Sequence, residues 1–360
     1  MRIIVLLLCV CCSRWLPAEP FAVGVTSDFS VEAFEDPAQV WLPENYVSTR
    51  KWPVMFYYHG TNGKPTIEFL RLLSGGQDWV LVGMGYRNKG QFEYTEANLN
   101  REIEVFETVY ARLIENVSID KTKVYVGGFS KGGWMTGLLL QRIPELAGGM
   151  ILGGGFLKAS PGEIDPGDKV FIGGGELDGN LAMSYGARTA FDKGESNAIL
   201  EVWPGLGHQL PSAFEADQTT KIRQWLILQA ETVSQVEAIE WHDRELNNIT
   251  ELAETDKVAA LHQLIDFSDM PFTSLVDKES RDLRLELQGK LREDPDLKNE
   301  LLAWSAFQQA VSFEGRDRLV STLAEALVYY QKLIDAYPAT TYGKKAGLSR
   351  ERIKQQLGLE

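Results

Sequence analysis

The 360-residue chain is 44% hydrophobic, 10% aromatic and 24% charged, which is the balance of a folded protein; its length exceeds one compact core and predicts a large domain joined to a smaller one. Its 50 acidic and 36 basic side chains leave a formal charge of −14, which repels phosphate backbones and anionic lipid surfaces and argues against a nucleic-acid partner. All three cysteines, Cys9, Cys11 and Cys12, fall near the N-terminus, so the rest of the chain has neither a disulfide nor a thiolate metal site.

The opening stretch, MRIIVLLLCVCCSRWLPAEP, joins a positive Arg2, an apolar run from Ile3 to Cys12 and a small residue at Ala18. That layout predicts a secretory signal over residues 1–18 and an exported protein, periplasmic or extracellular. The run is too short to remain as a membrane span.

From Val40 to about Gln229, apolar runs alternate with amphipathic stretches, which predicts an α/β fold with a mostly parallel sheet covered by helices on both faces. Strands are expected at Val54–Gly60, Trp79–Tyr86, Val124–Phe129, Gly149–Phe156, Val170–Gly175 and Ile199–Gly205. Between the second and third, Ile103, Val105, Phe106, Val109, Tyr110 and Leu113 recur at helical spacing and suit a helix lying on the sheet. After about Ser234 the strand-like runs stop, and four to six amphipathic helical segments follow, with Pro271 and Pro295 near their boundaries. The expected organisation is therefore a catalytic domain over 19–232 and an all-helical domain over 233–360.

The chemistry is concentrated in GGFSKGG, where Gly128 and Gly132 bracket Ser130 as G-x-S-x-G between an expected strand and an expected helix. A serine hydroxyl is a weak nucleophile unless it is held clear of the sheet beside a base, and a sharp strand-to-helix turn does this at the cost of backbone strain. The N–H of Lys131, opening the helix, is placed to stabilise the oxyanion formed during attack on an ester. A second donor is expected from YYHGTNG, at the N–H of Thr61 or of Gly60.

With these motifs the chain resembles the α/β-hydrolase superfamily over about residues 38–230. VWLPENYVSTRKWPVMFYYHG is similar to the entry of secreted esterases related to polyhydroxybutyrate depolymerases and to feruloyl or acetylxylan esterases. The resemblance implies a triad in the order Ser, Asp, His, with the acid and the histidine on loops after later strands. Asp178 in VFIGGGELDGN and His208 in VWPGLGHQLP stand at those positions. Glu176, two residues before Asp178, is the alternative acid. His242 and His262 fall in the helical region, where a surface or helix-face role is expected. With His208 as base, kcat/KM is expected to fall below a free-enzyme pKa near 6–7.

Three other motifs lack what they need. GTNGKPT has Pro65 where a phosphate-binding loop needs Ser or Thr, GLGHQL lacks the third glycine of a dinucleotide site, and Ser48–Lys51 has the S-x-x-K spacing without its partner motifs. No cofactor is predicted, and metal ligands at useful spacing are absent. Short connections after the later strands predict an uncapped cleft, hence an ester on bulky, carbohydrate- or polymer-linked material. Trp134 and Trp203 are read as core residues, with stacking on a sugar or aromatic acyl group as the alternative. A serine peptidase of prolyl-oligopeptidase-like type is the second enzyme class. A third reading is a non-catalytic protein that binds a partner through its helical tail, where YYQKLIDAYPATTYGKKA resembles half of a tetratricopeptide-like hairpin and Tyr330, Leu333, Ile334 and Tyr337 would face a neighbouring helix.

Overall fold

In the computed structural model the described residues are 21–32, 34, 36–87, 95–155, 164–165, 167–315 and 320–359. The expected export signal lies outside them, as does most of the connection on which the uncapped cleft was inferred. Eight strands form one sheet: β1 (Thr26–Phe29), β2 (Ala38–Trp41), β3 (Trp52–Tyr58), β4 (Val80–Met84), β5 (Ile119–Phe129), β6 (Gly148–Leu152), β7 (Lys169–Gly175) and β8 (Asn197–Trp203). Their spatial order is β1-β2-β4-β3-β5-β6-β7-β8, parallel from β4 to β8 and antiparallel where β2 meets β1 and β4.

The central strands are apolar throughout because both faces of the sheet are covered, and alternate residues serve opposite layers. Val54, Phe56 and Tyr58 of β3 join one apolar cluster, while Met55 and Tyr57 join the other. The first cluster includes Leu99, Val105, Phe106, Val109 and Leu113 of α2 (Glu96–Asn116) together with Met135, Leu138 and Leu139 of α3 (Lys131–Leu140). The second takes in α1 (Glu68–Leu73) and α5 (Ala216–Ala230), where Trp225 meets Tyr125 and Phe171 edge-on. Thr95 caps α2 by accepting the Asn98 N–H, satisfying one of the donors that the first turn leaves over.

α4 (Leu181–Lys193) joins β7 to β8, and the helical region begins at Ser234. There a reciprocal capping box with Glu237 starts α6 (Gln235–Thr255), a local signal that fits the expected change of architecture. α7 (Lys257–Ser268), α8 (Lys278–Glu293), α9 (Lys298–Glu314), α10 (Val320–Ala336) and α11 (Thr341–Leu357) follow, and Pro271 and Pro295 each open a short 3-10 turn between them. Tyr330 and Leu333 are buried, and Ile334 and Tyr337 partly so, in a cluster shared by α9, α10 and α11. Among the described residues no helix is long and apolar enough to cross a membrane.

His242 departs from a surface role: it is 0% exposed, with its ring 5.0 Å from that of Phe267. His262 lies 2.9 Å from Glu300, whose carboxylate also accepts the Thr341 N–H at the start of α11. Both histidines therefore belong to helix packing.

Candidate active site

Ser130 sits between β5 and α3 with φ 56° and ψ −115°, a conformation that costs an L-residue on the order of 1–3 kcal/mol and persists only where its surroundings enforce it. The Ser130 N–H donates to the Leu152 carbonyl on β6 (2.8 Å), and its own carbonyl accepts the Trp134 N–H (3.1 Å). The two flanking glycines are required by close backbone approach. A Cβ on Gly128 would stand 2.5 Å from the Gly132 carbonyl carbon, and one on Gly132 would overlap the Tyr58 carbonyl oxygen. The turn is thus wedged between β3 and its own helix, with the serine side chain lifted off the sheet.

Two loops from the same rim bring the partners. His208, after β8, places Nε2 2.8 Å from Ser130 Oγ and Nδ1 2.8 Å from Asp178 Oδ2. Asp178, after β7, is 2% exposed, and its second oxygen accepts the Asn180 N–H at 2.8 Å. Asn180 also directs its side-chain amide at the Gly153 carbonyl (3.4 Å) and towards His208 Nδ1 (3.5 Å). The imidazole leans on Phe129 with ring centroids 5.0 Å apart. Gly153, at φ 55°, leaves room for both rings.

Glu176, the alternative acid, takes another place: its carboxylate accepts the Gly205 N–H at 3.0 Å and braces the loop ahead of His208. Trp203 is core, 1% exposed, and Trp134 is buried beneath Gly155. Neither offers a stacking face.

The expected oxyanion donors lie close by. Lys131 opens α3, at the positive end of the helix dipole. Gly60 packs against the serine, since a Cβ on it would lie 3.4 Å from Ser130 Cβ. In a planar trans peptide the N–H points opposite to the C=O, so a pinned carbonyl fixes the donor behind it. The His59 carbonyl accepts the Tyr86 hydroxyl at 2.8 Å, which sets the Gly60 N–H. The Gly60 carbonyl accepts His59 Nδ1–H (2.6 Å) and the Gly63 N–H (3.1 Å), which sets the Thr61 N–H. The structure therefore orients both candidates.

Tyr86 and Asn180 carried no motif in the sequence. Tyr86 presents its ring to the Lys131 ammonium (4.2 Å) and to the edge of His59 (4.9 Å). Behind it, burial pushes the Glu102 carboxyl up to about 7, against the opposing pull of the Arg87 N–H and the Lys131 charge. Burial likewise lowers the Lys131 ammonium, which the Glu102 charge partly offsets, and lowers His59. A largely buried polar layer thus backs the loop from His59 to Gly63, on the face of the sheet that carries α2.

The sheet order, the turn at Ser130 and the convergence of a hydroxyl, an imidazole and a carboxylate from the ends of β5, β8 and β7 define an α/β-hydrolase fold with an appended helical region. No protein-family model and no curated protein sequence matches the chain. Among solved structures it is similar to a serine-to-alanine mutant of the feruloyl esterase module from Clostridium thermocellum complexed with sinapinate (16% identity, 57% of this chain and 85% of that one, TM-score 0.41). It is also similar to LAE6, an alpha/beta hydrolase enzyme from the metagenome of Lake Arreo (15%, 60% and 84%, TM-score 0.45), and to the ferulic acid esterase AmCE1/Fae1A of Anaeromyces mucronatus (17%, 54% and 86%, TM-score 0.41).

Proposed function

We propose that this chain is a serine hydrolase that cleaves carboxylic esters through an acyl-enzyme, with Ser130 as nucleophile, His208 as general base and acid, and Asp178 as the group that orients His208. The observation that carries the reading is the continuous run of hydrogen bonds Asp178–His208–Ser130, with 2.8 Å at each step, on a backbone turn held under strain.

With its proton on Nδ1, facing Asp178, neutral His208 offers a lone pair at Nε2 to the serine proton. Oγ attacks the ester carbonyl carbon as that proton moves to Nε2. The tetrahedral oxyanion is met by the N–H of Lys131 and that of Thr61 or Gly60. The imidazolium then returns its proton to the leaving alkoxide, the C–O bond breaks, and the acyl group stays on Ser130. Water, deprotonated by His208, attacks the acyl carbon; the bond from that carbon to Ser130 Oγ then breaks, the imidazolium returns its proton to Oγ, and the carboxylic acid leaves. No cofactor enters any step.

The His208 side chain is 41% exposed, so solvent and a large ester alike can reach the reacting edge. This supports esters attached to bulky or polymeric material; action outside the cytoplasm, with a hydrolase body over 19–232 and a helical region over 233–360, is proposed from the sequence pattern alone. A fluorophosphonate probe should label the protein, and Ser130→Ala should abolish the label. p-Nitrophenyl acetate and a series of longer esters should turn over, while a panel of peptide amides should not. Labelling that survives Ser130→Ala, or cleavage of the amides in preference to the esters, would overturn the assignment.

A further inference from the structure

Among the described residues, the helical region reaches the loop that carries the acid through Gln356. Near the end of α11, Gln356 donates its side-chain N–H to the carbonyl oxygen of Gly179, a residue 177 positions earlier on the loop between Asp178 and Asn180. Gly179 C=O and Asn180 N–H are opposite ends of one peptide unit, and that N–H holds Asp178 Oδ1 at 2.8 Å. Rotating the peptide plane would move both bonds together. Asp178 Oδ2 in turn holds His208 Nδ1, and His208 Nε2 meets Ser130 Oγ.

The contact does not stand alone. α4, which starts directly after this loop, is built into the helical region. Ala182 belongs to the apolar cluster of α9–α11, and a Cβ on Gly186 would lie 2.9 Å from the Gly315 carbonyl. Tyr185 is buried beside the Glu314–Arg352 ion pair, and the charge of Glu314 adds to burial in raising its hydroxyl. The helix following the acid is therefore anchored along its first two turns, and Gln356 closes the remaining freedom at the loop.

We propose that Gln356 is a positioning residue for the reaction: it fixes the Gly179–Asn180 peptide, and through it the carboxylate of Asp178 and the ring of His208. The helical tail is then a part of the catalytic apparatus supplied from outside the hydrolase sheet. This rests on the hydrolase reading above. Hydrogen bonds in series polarise one another, so a donor at the far end strengthens the bond at His208 as well as steering it.

The test uses the full chain with Gln356→Ala, Gln356→Glu and Gln356→Lys. Alanine removes the donor. Glutamate keeps the shape and replaces the donor with an acceptor that repels the Gly179 carbonyl. Lysine restores a donor of similar reach. Expected for Ala and Glu is a kcat lower by about three- to tenfold, the size that one hydrogen bond carries, with KM unchanged. Lysine should recover most of the rate. The downfield proton resonance of His208 Nδ1–H, read by NMR without substrate, should shift or broaden in Ala and Glu and return in Lys. That signal tests Gln356 even if wild-type protein turns over no ester, an outcome that would sink the hydrolase reading alone. Unchanged kcat and an unchanged resonance in both Ala and Glu would overturn the proposal, as would a change confined to KM.

Discussion

Replacing Asp178 by asparagine isolates the electronic part of the site, because the two side chains have the same shape and the position is 2% exposed. The new amide has one oxygen and one NH2 for two places that now accept hydrogen bonds. One place faces the Asn180 N–H, which the backbone fixes at 2.8 Å, and the other faces His208 Nδ1, also at 2.8 Å. A nitrogen opposite the Asn180 N–H would set donor against donor, so the oxygen stays there and the NH2 turns to His208. Nδ1 must then accept, which moves the ring proton to Nε2, where it faces Ser130 Oγ and leaves no lone pair for the serine proton. The same change of tautomer in a serine-protease triad lowers kcat about 10⁴-fold, or about 5.5 kcal/mol of barrier. Turnover of p-nitrophenyl acetate by Asp178→Asn should fall by that order, with a melting temperature close to wild type. Glu176→Gln, which can still accept the Gly205 N–H, should stay within about threefold of wild type. A rate for Asp178→Asn within tenfold of wild type, or a larger loss in Glu176→Gln, would refute the assignment of the acid.

Gly132→Ala drives a Cβ into the Tyr58 carbonyl oxygen and should destabilise the fold by about 3 kcal/mol, whereas Gly207→Ala, with nothing within 4 Å of the added carbon, should shift stability by less than about 0.5 kcal/mol; thermal unfolding of the two compares them directly. Burial raises the Glu102 carboxyl from its ordinary 4.5 to about 7, so the folded protein binds the extra proton between those values and stability falls as pH rises through that window. Glu102→Gln should shrink the stability lost between about pH 5 and pH 8, by up to about 3 kcal/mol in urea titrations; an unchanged pH slope would contradict the shift. Glu314→Gln leaves the buried guanidinium of Arg352 without its counter-charge and should destabilise by about 3–5 kcal/mol in the same assay. A loss below 1 kcal/mol would mean that solvent reaches the pair.

Of the six strands from β3 to β8, the central ones were legible because they are buried on both faces and read as apolar runs ending in glycine or a polar loop, while β8, part-buried at the sheet edge, was legible from the apolar run that ends at Pro204 and Gly205. Boundaries were less so. β5 begins at Ile119, ahead of the expected Val124, because Asp120 to Lys123, where the register with β3 shifts, are polar and little buried and leave no apolar signal. β1 and β2, four residues each at the antiparallel edge, were missed: so short a run shows no reliable alternation. At the site, Ser130 could be named from its local strand–turn motif, and Asp178 and His208 from the order that the resemblance implies; the fold brings these three side chains together. Tyr86, Asn180 and Gln356 could not, since what matters about each is a partner supplied by tertiary structure. His242 illustrates the same limit: helical spacing places it on a face without telling which polar side chain points inward.

Ala182 lies on a helix of the hydrolase body and is 4% exposed inside the apolar cluster of α9–α11. Two bodies that share a core residue have no independent route to denaturation, because peeling one away strips the other of packing at the seam. A calorimetric scan should therefore trace one cooperative peak, and a lesion deep among the last three helices should be felt as lost heat resistance at the catalytic rim.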